Sequence, residues 1–292
     1  MKTWQRITAI LLAVATGLAL FRWGKMQITS VSTAASTEQP VRMVVLMCHA
    51  INSNPKKSGD YVITAKALEK DLQYIKEQGY QTVVMSDIIA YVRDGTPLPQ
   101  KPIMITFDDG YYNNYLNAFP LLQKYEMKAV VSIIVGETDK YSNLNENKEN
   151  YSHLTWEMIN EMMESGWVEF QNHSYNMHKL SGPRRGVCRK SGESTEEYLR
   201  AVGEDLQKGQ DRIEEMTGWR PNTFTYPFGS YSKESEPLLA ELGFEASLGV
   251  EGKLFCLTRS EDCLIRIPRY NRSCKTSAEA ILTKAFPCEG GG

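Results

Sequence analysis

Short apolar runs, each followed by an amphipathic helical stretch, recur along most of this chain, and that alternation constrains the fold more than any other feature. The runs are Met43–Cys48, Thr82–Met85, Ile103–Phe107, Ala129–Val135, Val168–Phe170, Thr223–Tyr226, Glu245–Val250 and Leu264–Ile267. Helical patterns fall between them at Ala65–Gln78, Tyr115–Tyr125, Thr155–Glu164, Thr195–Met216 and Ser232–Leu242. Gly79, Gly166, Gly218 and Gly243 stand where those helices should stop, because a left-handed terminal residue is easiest for glycine. Strands that alternate with helices pair in parallel through right-handed crossovers. Such alternation over about 250 residues predicts an α/β fold: a distorted parallel (β/α) barrel of about seven strands, forming a single domain over residues 42–292. An open doubly wound sheet is the rival, but no GxGxxG turn supports a dinucleotide site.

The first 25 residues do not share this rhythm. Lys2 and Arg6 precede an apolar run from Ile7 to Phe21, and Arg22 and Lys25 follow it. Residues 1–25 therefore read as a secretory signal or signal-anchor, with the uncleaved anchor favoured, and residues 26–41 as a polar linker. The remainder is expected outside the cytoplasmic membrane, anchored at its outer face or secreted. Lys+Arg total 33 against 35 Asp+Glu, so the basic surplus that a nucleic-acid binder needs is absent. Six cysteines suit an oxidising compartment. Cys256, Cys263, Cys274 and Cys288 cluster near the C-terminus, where one or two bridges are expected, while Cys48 reads as a buried thiol. Two stretches, Asp139–Asn150 and Ser181–Ser194, read as surface loops. The second either closes over a bound ligand or is a plain solvated loop.

Reactive side chains gather at the C-terminal ends of predicted strands, the ends that share one face of a parallel barrel. Thr106-Phe107-Asp108-Asp109-Gly110 places adjacent carboxylates there, costly unless a cation is shared or a proton retained. Gly110 lets the chain turn so that both face one pocket; alone, the motif is as readily a surface turn. His173 and His178 are five apart and converge on a metal if the intervening loop curls. With Asp109 they form a His, His, carboxylate set with an open position, the pattern of a catalytic metal site. Tyr226-Pro227-Phe228-Gly229 forms a tight turn that either exposes a backbone N–H to a substrate oxygen or is purely structural. His49 follows Val44–Cys48 on the same face.

TFDDG, HSxxxH and YPFG, in this order, resemble the polysaccharide deacetylase (NodB-homology) family of carbohydrate esterases over residues 43 to 272. The longer histidine spacing resembles the circularly permuted poly-N-acetylglucosamine deacetylase branch. The resemblance implies a metal-dependent hydrolase that removes N-acetyl groups from cell-wall or extracellular N-acetylglucosamine polysaccharide. It implies Asp109, His173 and His178 as metal ligands, Asp108 as general base and the Phe228 N–H as oxyanion donor. No histidine follows His178, so His49, in Leu46-Met47-Cys48-His49, matches the branch's general acid. The arginine usual before the Pro-aromatic-Gly turn is replaced by Thr225 and Tyr226, and Arg269 is the candidate to orient Asp108 instead. A divalent ion is implied, zinc first, with cobalt, nickel, manganese or iron also suited to the donor set. Trp156, Tyr111, Tyr112, Tyr175 and Trp219 are candidate sugar-stacking surfaces. The partners expected are an N-acetylated glycan and, through the N-terminal segment, the membrane; no protein partner is expected. An O-acetyl esterase, another amidase on the same barrel and a non-catalytic glycan-binding protein are the competing readings.

Overall fold

A computed structural model describes residues 39–287; the expected anchor, Cys288 and nearly all of the expected linker lie outside the described residues. The chain enters the fold on β1 (Val41–Cys48) and continues through β2 (Ala50–Asn52), β3 (Val62–Thr64), β4 (Gln81–Thr82), β5 (Pro102–Phe107), β6 (Ala129–Ile133), β7 (Val168–Asn172), β8 (Thr223–Thr225), β9 (Ala246–Leu248), β10 (Phe255–Leu257) and β11 (Tyr270–Asn271). The main sheet runs β10-β1-β5-β6-β7-β8-β9, seven strands, with β11 beside β1 and β4 beside β5. Every pairing in it is parallel except β1 with β10. This is the distorted, seven-stranded parallel barrel that the alternation predicts, and β10, which pairs antiparallel with β1, is the one strand of the seven that no apolar run marks. Its exposed Cys256 interrupts the apolar run, so no continuous buried strand was visible there. The run Leu264–Ile267 is not a strand either: Glu261–Leu264 is a 3₁₀ turn, and Ile267 makes a single bridge to Leu248 on β9.

That bridge matters to the architecture. The segment from Ile267 to Arg272 hydrogen-bonds to the last parallel strand through Ile267 N to Ser247 O and to the first through Arg272 N to Met47 O. It is a thin seam that joins the two ends of the curled sheet, so first and last strands become neighbours.

Side-chain alternation sorts each strand between two environments. Met43 and Val45 pack with Met104, Val130, Ala246, Leu248 and Ile267, drawn from strands around the whole sheet, and this is the barrel interior. Val44, Leu46 and Cys48 pack with Ile103, Ile105 and Phe107 under the helices Ala65–Glu77, Phe119–Tyr125 and Ala278–Ala285. Both faces being covered explains why the strands read as unbroken apolar runs. The helix Met85–Asp94 closes the interior at its lower end, and its first N–H groups, from Met85 and Ser86, donate to Glu169 of β7. The 23-residue helix Thr195–Thr217 starts at a capping box of Ser194 and Glu197 and ends at left-handed Gly218.

Two further expectations are corrected. The helix Val135–Leu144 covers the first half of the stretch read as the Asp139–Asn150 loop; it is stitched to its neighbours because Asp139 accepts from Trp156 Nε1, Tyr175 Oη and Arg212 Nε. Cys48, Cys188, Cys256, Cys263 and Cys274 are all free thiols, so no bridge joins the described cysteines. The register explains part of this: Cys256 sits opposite Arg42 at the start of β1, whereas the chain leading to Cys274 leaves β1 opposite Met47, about 16 Å away at about 3.3 Å per residue.

Candidate active site

The alternation that builds the interior also delivers the reactive groups. Met104, Thr106 and Asp108 follow one another inward along β5, as Met43, Val45, Met47 and His49 do along β1, and Glu169, Gln171 and His173 along β7. All reach the upper rim from parallel strands, so they meet there. A cleft of about 460 Å³ opens at this rim, lined by His49, Asp108, Asp109, His173, His178 and Phe228 among others.

Asp108 is buried against Arg269, which is 0% exposed. The guanidinium forks onto the carboxylate, Nη1 to Oδ1 at 2.7 Å and Nη2 to Oδ2 at 2.8 Å. Arg269 is itself fixed, donating from Nε to Gly249 O at 2.8 Å and from Nη1 to Thr106 Oγ1 at 3.0 Å. It lies on the seam between Ile267 and β11, which explains how a residue so late in the chain reaches a strand end from its middle. Burial alone would push the Asp108 carboxyl up, but the Arg269 charge outweighs it and leaves Asp108 below its ordinary value, ionised at neutral pH.

Asp109 adopts φ 72, left-handed geometry that aspartate tolerates better than most residues, and Gly110 follows at φ 68. The turn swings consecutive carboxylates into one cleft. The ring nitrogen Nδ1 of His153 lies 3.0 Å from the Asp109 carbonyl, and Leu154 N–H donates to Gly110 O at 2.8 Å, so a short segment clamps the turn from outside. His153 is held between the rings of Tyr111 and Tyr141. Nothing in the sequence assigns this histidine a role, since its place beside a polar stretch carries no hint of contact with Asp109.

His173 is 2% exposed and donates from Nδ1 to Thr225 O at 2.7 Å, which turns Nε2 into the cleft. The loop to His178 curls because Ser174 takes φ 78 and because Asp205 accepts the N–H groups of Tyr175 and Asn176, both at 2.9 Å. Gly209 permits the close approach of that helix, since a Cβ there would lie 2.8 Å from Asn172 Nδ2. The curl brings the His178 ring back over His173, centroids 4.9 Å apart.

Asp109 Oδ1 lies 3.4 Å from His173 Nε2 and 3.1 Å from His178 Nε2, and one donor atom from each of the three residues falls within 4.8 Å of the others. Neither imidazole is aligned as a hydrogen-bond donor, so this buried oxygen is an orphan. Burial pushes the Asp109 carboxyl up, yet its two histidine neighbours pull it well below the usual carboxylate range. An orphaned, ionised oxygen facing two imidazole nitrogens, one with its tautomer set by a carbonyl behind it, is a donor set that fits a divalent cation.

His49 lines the opposite wall. Its Nδ1 is buried without a partner, and its ring meets Tyr61 edge-on at 4.8 Å. Burial pushes its pKa down, and the charges of Asp108 and Asp109 only partly restore it. Phe228 holds φ 59 within the Pro227–Gly229 turn, and its ring lies 4.3 Å from that of His178. Left-handed phenylalanine costs energy, so the surrounding contacts must enforce it.

The aromatic candidates fare differently. Among the described residues Tyr111 lines the cleft, whereas Trp156 is buried in the core, Trp219 and Tyr175 pack against it, and Tyr112 stacks on Tyr115. Stacking surfaces at helical spacing are more often core than ligand platform, and the periodic pattern could not separate the two. Arg185 brings the Ser181–Ser194 loop to the rim, whereas Tyr61 and Leu180 of the rim were not anticipated, since each sits in a polar stretch with no periodicity to mark it.

Comparison with known proteins places this geometry in context. Residues 95–247, just over half of the chain, match the family model described as polysaccharide deacetylase. A poly-beta-1,6-N-acetyl-D-glucosamine N-deacetylase of Staphylococcus aureus is 25% identical over 201 residues, covering 69% of this chain and 65% of that protein. The Escherichia coli protein of the same name is 24% identical over 260 residues, 82% of this chain and 38% of that one. The chain thus spans less than two thirds of the length of either. Among solved structures, a de-N-acetylase from Aggregatibacter actinomycetemcomitans superposes with a TM-score of 0.72 at 22% identity, covering 83% of this chain and 99% of that one. IcaB from Ammonifex degensii gives 0.68 at 23% identity, with 85% and 98% covered. These likenesses carry the barrel fold.

Proposed function

The chain belongs to the polysaccharide deacetylase family, and from that premise we propose that it hydrolyses the N-acetyl groups of a poly-N-acetylglucosamine glycan, releasing acetate and leaving free amines. What supports the reading most is one juxtaposition: the Arg269–Asp108 fork stands beside the Asp109, His173, His178 donor set in a single cleft. The names carried by the S. aureus and E. coli relatives point to the β-1,6-linked polymer. Export, with or without retention of an N-terminal anchor over residues 1–25, follows from a polymeric extracellular substrate.

In this proposal Asp109, His173 and His178 hold a divalent ion, zinc first among those the donors suit. When bound, such an ion supplies Lewis-acid polarisation of water and of the acetyl carbonyl. The remaining work belongs to the chain. Asp108 accepts the proton of the attacking water. Its ionisation is secured by Arg269, and each oxygen keeps a lone pair beyond the one that Arg269 engages. Negative charge gathering on the carbonyl oxygen is met by the Phe228 N–H, a type of donor whose loss costs about 10²–10³ in rate. An amine anion leaves poorly, so the nitrogen must be protonated as the C–N bond breaks, and His49 supplies that proton. Its lowered pKa makes the imidazolium a stronger acid while reducing the fraction protonated at neutral pH.

The test is acetate release from N-acetylglucosamine oligomers. Asp108→Asn is expected to lose about 10³-fold or more in rate, the span of a missing general base, with metal content unchanged, whereas His173→Ala loses both. Full activity in Asp108→Asn would overturn the assignment.

A further inference from the structure

The loop that follows His178 carries three arginines, and they are not equivalent. Arg184 pairs with Glu193, and Arg189 pairs with Glu234 at 3.0 Å. Arg185 between them is exposed, and among the described residues no carboxylate pairs with it. Its guanidinium lies 6.0 Å from the centre of the Phe228 ring, and it lines the cleft. The position is enforced. Gly186 has φ 53, and a Cβ there would come within 2.8 Å of Pro227 O, so the loop backbone rests directly on the turn that bears Phe228. The ion pairs on either side pin the loop, and the unpaired Arg185 guanidinium lies one aromatic ring away from His178.

We infer that Arg185 is a specificity residue that reads the acetylation state of the sugars flanking the reacting unit, rejecting those already deacetylated. The inference rests on the proposed deacetylase reading and deepens it. Each hydrolysis adds water across the acetamide, breaks its C–N bond, releases acetate and leaves an amine. The ring and hydroxyl oxygens make that amine less basic than a simple alkylamine, so it binds a further proton in mildly acidic solution, where most product units carry an ammonium and the substrate stays neutral. A guanidinium carried by a pinned loop at the mouth of the cleft repels that ammonium and leaves a neutral acetamide unaffected. Two unit charges several ångströms apart in a solvated cleft interact by enough to bias rates about three- to tenfold at low salt. The enzyme then spaces its products apart along the polymer instead of clearing adjacent units.

The experiment uses the full chain and two defined β-1,6-linked N-acetylglucosamine pentamers, one fully acetylated and one carrying a single glucosamine in the middle. Acetate release is measured on both in mildly acidic buffer, where the glucosamine is charged, and hydrolysed positions are read by mass spectrometric sequencing. The quantity compared is the rate ratio between the two pentamers, which is internal to each variant and insensitive to a general change in rate. Wild type should act about three- to tenfold more slowly next to the glucosamine in ~50 mM salt, and the bias should shrink in ~1 M salt, where the screening length falls to about 3 Å. Arg185→Gln should bring the ratio close to one, and Arg185→Glu should favour the pentamer that carries the ammonium. An unchanged ratio in both variants, or no bias in wild type, overturns the role of Arg185 while leaving deacetylation intact. Absence of acetate from the fully acetylated pentamer overturns the deacetylase reading, and the inference with it.

Discussion

Arg269 carries two burdens at once, and substitutions separate them. It neutralises a carboxylate buried at the strand end, and it fixes that carboxylate's orientation through two parallel hydrogen bonds. Arg269→Met leaves Asp108 buried with no counter-charge; a loss of about 3–5 kcal/mol in urea unfolding is expected, the usual consequence of orphaning one partner of a buried pair. Arg269→Lys keeps a positive charge but cannot reproduce the fork, so stability should be largely retained while acetate release falls. Equal stability losses in the two would show that charge is not the main issue at this position. His153 poses a subtler case. It does not line the cleft itself and meets Asp109 through the backbone carbonyl. His153→Ala should weaken divalent-ion binding about 10- to 100-fold, the range for a lost outer-shell partner, and His153→Asn, which keeps a donor near the Nδ1 position, should restore part of it. Calorimetric titration with zinc reads this directly. Identical affinities for wild type and His153→Ala would reduce the histidine to a packing residue.

At the scale of elements, the barrel's lower end depends on an unusual cap. The helix Met85–Asp94 begins at Val84, which has no side chain able to cap it, and the role falls to Glu169 from a neighbouring strand, at 3.1 Å from Met85 N and 3.2 Å from Ser86 N. Glu169→Ala should cost about 1–2 kcal/mol, the scale of a lost N-cap, and should raise amide exchange at Met85 and Ser86 while leaving divalent-ion affinity unchanged. Uniform exchange across the helix would show that the cap is not local. This cap also marks where the sequence stopped being readable. Elements set by local periodicity and glycine stops could be read directly: β1, β5, β6 and β7 lie where the apolar runs predict them. The strand ends carrying Asp108, Asp109, His173 and His49 could be placed for the same reason, because side-chain alternation is a local rule. What escaped was everything decided across the barrel. Glu169 reads as a polar residue in a strand, Val84 as a strand residue, and nothing links them along 85 positions of chain. Likewise Ile267–Asn271 forms a seam because it lies between two strands far away in sequence, and a single bridge leaves no periodic trace. Arg269 was named only through family resemblance and position after a last apolar run; its fork onto Asp108 depends on the seam. His153 escaped altogether, since a histidine that supports a backbone carbonyl carries no motif.

For the whole molecule, the placement of the donor set has a consequence for stability. Asp109 follows β5, and His173 and His178 follow β7, with β6 between them. A cation shared by these three residues therefore cross-links strands that are not neighbours, and it does so only when the barrel is assembled. The Arg269–Asp108 fork completes the circuit on the other side by tying the seam to β5. Unfolding separates all of these groups, so the unfolded chain has no comparable site, and ion binding must raise the free energy of unfolding by mass action. At a free ion concentration near a thousand times the dissociation constant the gain is about 4 kcal/mol. For a domain of this size, at about 2–4 °C per kcal/mol, the melting temperature should rise on the order of 10 °C. Scanning calorimetry with zinc in excess and with a chelator in excess measures the difference. His178→Ala removes a ligand that is only part-buried and sits in the loop after β7 rather than within a strand, so the variant should fold with nearly the melting temperature of the chelated wild type. It should also show little response to zinc. A full upward shift in His178→Ala would mean that the ion stabilises the protein from somewhere else, and the cross-linking role of this cleft would have to be given up.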